Sequence, residues 1–268
     1  MRLPTSFAPS ALALSLATGL ALPAMAQDAP DQGELTKKLA NPISNLISVP
    51  LIYNRDNSDT TGTRETLNIQ PVIPFSISED YNLITRTIFP LISTDKPAPA
   101  SGTVSGLGDT VQSFFFSPKA PTSSGWIVGT GPVFLWPTAT QDALGAQKWG
   151  IGPTTVALKQ ENGFTYGMLA NHIWSYAGKG DRDISATFLQ PFLSYGFKTY
   201  TTLGISTEST YDWKSSQWTV PIIVNVSQVL KIGGQPISLS AGYKHYATRP
   251  TGGPDDGIRL GLTLLFPK

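Results

Sequence analysis

From Ile47 to the C-terminus, apolar and polar residues alternate with a period of two between turn signals, and no convincing 3.6-residue repeat appears. The last segment is the clearest. Ile258, Leu260, Leu262, Leu264 and Phe266 alternate with Arg259, Gly261, Thr263 and Leu265. Ile237 to Thr248 sets Ile237, Leu239, Ala241 and Tyr243 against Ser238, Ser240, Gly242 and Lys244. Trp218 to Ser227 and Leu67 to Phe75 behave alike, the latter with Asn68 and Gln70 on the polar side. Successive side chains of a strand point to opposite faces, so each segment has one greasy face and one mostly polar face. Segments of about ten residues with this pattern match the spanning strands of outer-membrane barrels.

The alternation predicts strands at 46–54, 65–77, 81–93, 107–117, 125–137, 149–160, 164–176, 184–196, 199–212, 217–231, 236–248 and 257–267. The number is even. Short links such as Ser78-Glu79-Asp80, Glu161-Asn162-Gly163, Phe197-Lys198 and Ile232 to Gln235 follow the even strands. Longer polar links, Arg55–Thr63, Thr94–Gly106, Thr138–Lys148, Ala177–Asp183 and Arg249–Asp256, follow the odd ones. Short turns at one rim and long loops at the other fit a bacterial barrel whose short rim and termini face the periplasm. Pro118–Ser124 is longer than this rule predicts and reads as a turn lengthened by two prolines.

The tryptophans test the orientation. Trp136, Trp149, Trp174, Trp213 and Trp218 fall at the long-loop ends of their strands, and Trp126 at the short-turn end. Phe75, Tyr81, Phe116, Phe164, Tyr195, Tyr200 and Phe266 gather at the opposite rim. Two aromatic girdles are what amphipathic rings at two headgroup layers produce. A soluble β-sandwich would not sort its tryptophans to one end.

Composition agrees. Charged residues make up 14% of the 268 residues, against about 25% in ordinary soluble domains. No stretch beyond the N-terminus approaches the roughly 20 apolar residues of a spanning helix. With no Cys and two His, disulfides and thiolate metal sites are excluded and a His-rich metal site nearly so. A net charge of +1 argues against nucleic acid as a partner. At the N-terminus, Arg2, the apolar run Ala11–Leu22 and Ala24-Met25-Ala26 read as a cleaved secretory signal peptide, residues 1–26. Its removal leaves 18 basic and 18 acidic residues. The expected organisation is a signal peptide (1–26), a periplasmic N-terminal segment (27–45), partly helical, and a transmembrane barrel (46–268).

Lysine or arginine facing lipid at the midplane costs about 2–4 kcal/mol, so Arg86, Glu208, Lys244 and Arg259 are expected in the lumen, with Glu208 pairing Lys244 or Arg259. Such charges form either a structural network or a constriction that selects solutes. Pro71, Pro74, Pro132, Pro153, Pro191 and Pro221 each remove a ladder donor, which predicts bulges or kinks. These shape a curved wall or, alternatively, open a lateral path into the membrane.

Catalysis finds little support. Asn171 and His172 are neighbours on a strand and point to opposite faces; His172 and Ser175 also differ in parity, and His245 has lipid-side parity. Neither G-x-S-x-G nor H-E-x-x-H occurs, so no catalytic residues, metal or cofactor are expected.

The stretches LANPISNLISVPL, LNIQPVIPFSISEDYNLITRTIFP, GLGDTVQSFFFSPK, GPVFLWPTAT, KWGIGPTTVALKQ, ANHIWSYAG, FLQPFLSYG, STESTYDW with QWTVPI, and SQVLKIGGQP carry a resemblance. From Leu39 onward the chain resembles the bacterial family named for a meta-pathway of phenol degradation, outer-membrane barrels labelled transporters and sometimes mislabelled neuromedin U. The resemblance implies an outer-membrane location and transport of aromatic or other small hydrophobic solutes. It brings no established site residues.

The sequence thus predicts an all-β chain: a closed antiparallel transmembrane β-barrel of about twelve strands. Its expected role is passage of small solutes, hydrophobic or aromatic ones included, without energy coupling. Lumen candidates are Asn68, Gln70, Arg86, Glu208, Asn225, Lys244 and Arg259. Expected partners are outer-membrane lipid, the barrel-assembly machinery during biogenesis, and the solutes. The alternatives are a closed structural or surface-interaction barrel, then an outer-membrane lipid hydrolase or a soluble periplasmic β protein.

Overall fold

A computed structural model describes residues 31–95 and 102–267, so the expected signal peptide lies outside the described residues. Helix α1 (Gln32–Leu39) precedes fifteen strand segments. These are β1 (Ile47–Ser58), β2 (Gly62–Ile69), β3 (Val72–Ser76), β4 (Tyr81–Asp95), β5 (Thr103–Leu107), β6 (Thr110–Pro118), β7 (Trp126–Trp136) and β8 (Lys148–Glu161), followed by β9 (Phe164–Gly178), β10 (Ser185–Gly196), β11 (Thr201–Thr207), β12 (Ser209–Asp212), β13 (Gln217–Ile232), β14 (Gln235–Thr248) and β15 (Asp256–Phe266). The pairs β2/β3, β5/β6 and β11/β12 each make one interrupted span, which reduces the fifteen segments to twelve spans. Each span pairs antiparallel with its neighbours in sequence. The circle closes where β1 meets β15, from Ile47↔Phe266 to Asn57↔Asp256. The fold is a closed twelve-stranded antiparallel barrel.

The interruptions have local causes. Between β2 and β3, Pro71 lacks an N–H, yet the register is kept, since Ile69↔Phe89 and Val72↔Arg86 are three residues apart on both strands. Between β11 and β12, Glu208 lies in register opposite Pro221 on one side and beside Pro191 on the other, so both flanking strands lack a donor nearby. Between β5 and β6 there is a true bulge. Two residues of β4, Phe89 and Pro90, face three, Gly108, Asp109 and Thr110.

The expectation that strand prolines create bulges therefore holds only at Pro221, where the β13–β14 register shifts. Pro132 and Pro153 face each other directly in an unbroken β7–β8 register, and Pro74 and Pro191 are also paired in register. Glycines make this possible: a Cβ on Gly131 would run into the Phe114 carbonyl oxygen, and one on Gly152 into that of His172. The backbones approach where the ladder bond is missing.

The expected loop Arg55–Thr63 is also corrected. β1 runs on to Ser58 and β2 starts at Gly62, leaving a three-residue turn, because Arg55–Glu65 and Asp56–Arg64 continue the ladder. Trp213 to Ser216 is likewise a tight turn. The residues after Pro118 form a turn closed by Thr122 N–H to the Trp126 carbonyl (2.8 Å) and Gly125 N–H to the Thr122 carbonyl (2.8 Å), so the strand count stands.

Burial follows strand parity. On β13, Ile222, Val224 and Val226 are exposed on the outer face, while Ile223 and Val229 are buried inside. Five of the six tryptophans are exposed outside, Trp126, Trp149, Trp174, Trp213 and Trp218; Trp136 is half-buried against Trp149, with ring centroids 5.4 Å apart. Tyr211 joins Trp213 and Trp218 at the long-loop rim, and Phe164, Tyr195 and Phe197 stack at the short-turn rim. Tyr200, expected in that outer girdle, instead packs against a buried interior cluster.

That cluster contains the N-terminal segment. Glu34 in the first turn of α1 and Lys37 and Lys38 in the last complement the helix dipole, and Glu34 pairs Lys38 at 2.7 Å. Leu35, Leu46, Val229 and Leu265 form one buried group at the short-turn end. Ile43 enters a second with Ile84, Phe115, Val156, Leu158 and Leu169, drawn from strands on the opposite wall. The segment ahead of β1 is thus tucked into the barrel as a plug.

An outward arginine tests the assignment of faces. Val224→Arg is expected to lower folding stability in lipid vesicles by about 2–4 kcal/mol, measured by urea titration of the heat-modifiable band. An unchanged midpoint would place Val224 away from lipid.

Candidate functional site

Inward parity brings all seven lumen candidates to the interior face, where they fall into distinct environments. β15 presents Arg259, whose Nη1 and Nη2 donate to the two Glu208 oxygens at 2.8 and 2.7 Å, and whose Nε donates to Asn54 Oδ1 at 2.7 Å. This planar two-pronged contact suits guanidinium and carboxylate. Of the two partners predicted for Glu208, Arg259 takes the bond. Lys244 on β14 donates instead to Asp56 Oδ1 at 2.6 Å, with both side chains buried, and lies 5.2 Å from the Tyr246 ring centroid. Arg86 on β4 donates from Nη2 to Gln70 Oε1 at 3.0 Å. Asn225 on β13 faces a cavity, and Asn68 on β2 lies opposite Ile52 and Pro90 on the interior face.

Sequence reading missed Asp56, Asn54 and Tyr246. The signal was present, because Asn54 and Asp56 continue the inward phase of Ser48, Pro50 and Ile52, but Asp56 fell in an expected loop. Arg64, in register with Asp56 and exposed at the long-loop mouth, falls between the expected loop and the strand expected from residue 65.

The interior has two unlike walls. From β3 to β10 it carries an apolar cluster, in which Ile84, Phe115, Val156, Leu158 and Leu169 pack with Val72, Ile127, Phe188 and Phe192, beside buried polar groups such as Asn82, Ser113 and Thr154. From β11 to β15 it is lined by short polar side chains, among them Ser206, Asn225, Ser227, Ser240 and Thr263. Between the walls lies a cavity of about 340 Å³, with Gln70 and Arg86 on its lining and Leu39 to Ser44 of the N-terminal segment also contributing. A void of this size is at the lower end for a small-ligand site.

At the long-loop rim, the β5/β6 bulge presents Asp109, whose carboxylate accepts the Ala139 and Ala146 N–H groups at 3.2 and 2.6 Å. This folds the 137–147 loop back, and Leu144 is buried. The histidines face outward. His172 Nδ1 is 2.7 Å from the Thr187 hydroxyl, Ser185 Oγ is 3.4 Å from Nε2, and the ring stacks on Trp174 at 4.1 Å. Trp213 Nε1 donates to the same Thr187 hydroxyl at 2.9 Å. Asn171 and Ser175 lie on the opposite face from His172, as parity requires, and His245 is exposed outside.

No protein-family profile and no curated protein matches the sequence. Among solved structures the chain is similar to the COG4313 outer membrane channel from Pseudomonas putida F1, with a TM-score of 0.66 and 15% identity, covering 83% of this chain and 96% of that one. It is also similar to outer membrane phospholipase A from Escherichia coli, with a TM-score of 0.50 and 11% identity, over 88% and 98% of the two chains. The class is that of the outer-membrane type of closed β-barrel.

The Arg259–Glu208 contact should behave as one unit. Glu208→Ala and Arg259→Ala are each expected to cost roughly 1–3 kcal/mol, because either leaves the other charge without its partner. The double variant should cost less than the sum of the two, as read from equilibrium refolding in vesicles; strict additivity would show that the pair contributes nothing.

Proposed function

We propose that the protein is an outer-membrane channel through which small solutes pass passively, entering by the long-loop mouth. The observation that carries this reading is the unfilled, two-walled cavity inside a closed barrel. A barrel built only as a scaffold gains by filling its interior, since voids forfeit packing contacts. The outward apolar band and the two aromatic rims support a location in the outer membrane, with the short-turn rim in the periplasm. The likeness to a Pseudomonas putida channel of the same fold and the resemblance to the phenol-degradation family agree with it. The apolar wall, Val72, Leu169 and Phe192 included, favours solutes with a hydrophobic or aromatic part. The reading assigns no reaction to the barrel, and its partners are membrane lipid, the assembly machinery and the solutes.

One observation favours a second reading. The N-terminal segment occupies the short-turn end, where Gln160 Nε2 donates to the Lys37 carbonyl at 2.9 Å and Leu35 and Leu46 are buried. A permanently seated plug would make this a closed barrel whose outer loops do the work. Planar-bilayer recording decides between them. The full mature chain is expected to give channel events, and a variant lacking residues 31–42 to give larger ones. Silence from both folded proteins, together with no solute-dependent liposome swelling, would leave only the closed barrel.

A further inference from the structure

The interior charges do not balance locally. Glu208 commits both oxygens to Arg259, and Asp56 holds Lys244. Arg86 lies within electrostatic reach of Glu208 and Arg259, yet its one hydrogen bond in the described structure goes to a neutral group, the Gln70 amide oxygen. Its remaining N–H donors belong to a residue that lines the 340 Å³ cavity. An ionised group taken from water costs free energy unless a partner compensates, and a guanidinium presents a planar fork matched to a carboxylate. The surroundings define the rest of the ligand. Val72, Leu169 and Phe192 offer an apolar surface on one side of the same cavity, while Ser206, Asn225 and Ser240 offer hydroxyl and amide groups on the other.

We propose that this cavity binds small monocarboxylates with an apolar body, aryl acids being the best fit, with the carboxylate on Arg86 and the body against Val72, Leu169 and Phe192. The proposal rests on reading the lumen as a solute passage and names the class of solute that pauses there. Gln70 is a positioning residue, holding the guanidinium through one nitrogen and leaving the others to the ligand. The Arg259–Glu208 and Lys244–Asp56 pairs, each internally neutral, leave Arg86 as the charge that selects.

Calorimetric titration of the full mature protein in detergent at pH 7, with benzoate and its neutral isostere benzamide, tests this. Benzoate is expected to bind wild type at least tenfold more tightly than benzamide. Arg86→Gln should weaken benzoate at least tenfold and leave benzamide unchanged, and Arg86→Lys should recover part of the loss. Equal binding of the two ligands to wild type, or benzoate binding unaffected by Arg86→Gln, would overturn the proposal. The wild-type contrast decides by itself if the variant fails to show the heat-modifiable folded band. Swelling assays on the same preparations with a neutral sugar separate this site from the channel reading. Benzoate binding without swelling keeps the site and removes the passage; swelling without preferential benzoate binding keeps the passage and removes the site.

Discussion

The closed ladder is the constraint on which everything else depends. In lipid no water is available to satisfy a free N–H or C=O, so the wall must have no edge, and the β1–β15 seam removes the last one. Once the seam is made, parity has only two outcomes for each side chain: lipid or lumen. That binary choice explains the low charge fraction and the outward run of Ile222, Val224 and Val226. It also explains why Arg86, Lys244, Arg259, Glu208 and Asp56 share one narrow interior. The pairing of Glu208 with Arg259 and of Asp56 with Lys244 follows from confinement, while Arg86 bonds the neutral Gln70 and keeps its other donors toward the cavity; among the described residues no fully buried side-chain polar atom is left without a partner.

The same constraint makes the prolines informative. Each one lacks a ladder donor, and at four of the six something else is gained there. At Pro132 and Pro153 the neighbouring glycines let backbones draw together. Beside Pro191 and opposite Pro221 the gap holds Glu208, whose backbone is released from regular pairing at the position where its carboxylate meets Arg259. The strand break and the interior ion pair are therefore one feature. No lateral opening follows from it, since the register on either side of Glu208 is unbroken.

Nearly all of the wall was legible from the sequence, and less of what fills it. Each of the twelve spans was found from its period of two, because lipid on one face and lumen on the other enforce it residue by residue. Legibility failed where that enforcement ends. Arg55 points outward beyond the apolar band and is polar, so the end of β1 and the first residues of β2 read as a loop, and Asp56 falls within it. Register-keeping prolines mislead because a proline says that a donor is missing, not that a residue has been added; the added residue at Gly108–Asp109 sits on a strand segment without proline, across from Pro90. A partly helical N-terminal segment is expected from the sequence, but not its seat inside the barrel: α1 buries Leu35 and Thr36 and leaves Glu34 and Lys37 exposed, too short an apolar face to announce a plug. Tyr200 was misplaced for a related reason: a ring at the rim can serve lipid or plug, and sequence does not distinguish them.

The plug and the seam are consecutive in the chain, with Leu46 in the interior cluster and Ile47 the first residue paired to β15. Mechanical load on the N-terminus would therefore reach both, but in different ways. The contacts of α1 and Ile43 lie one after another along the segment and would be shed singly. The eleven β1–β15 residue pairs run along the direction of pull, so their crosswise hydrogen bonds would resist in shear, all together. A tug from the short-turn side would draw the helix out of the mouth long before it strained the wall, which makes the N-terminal segment a cord that can be pulled without tearing the tube.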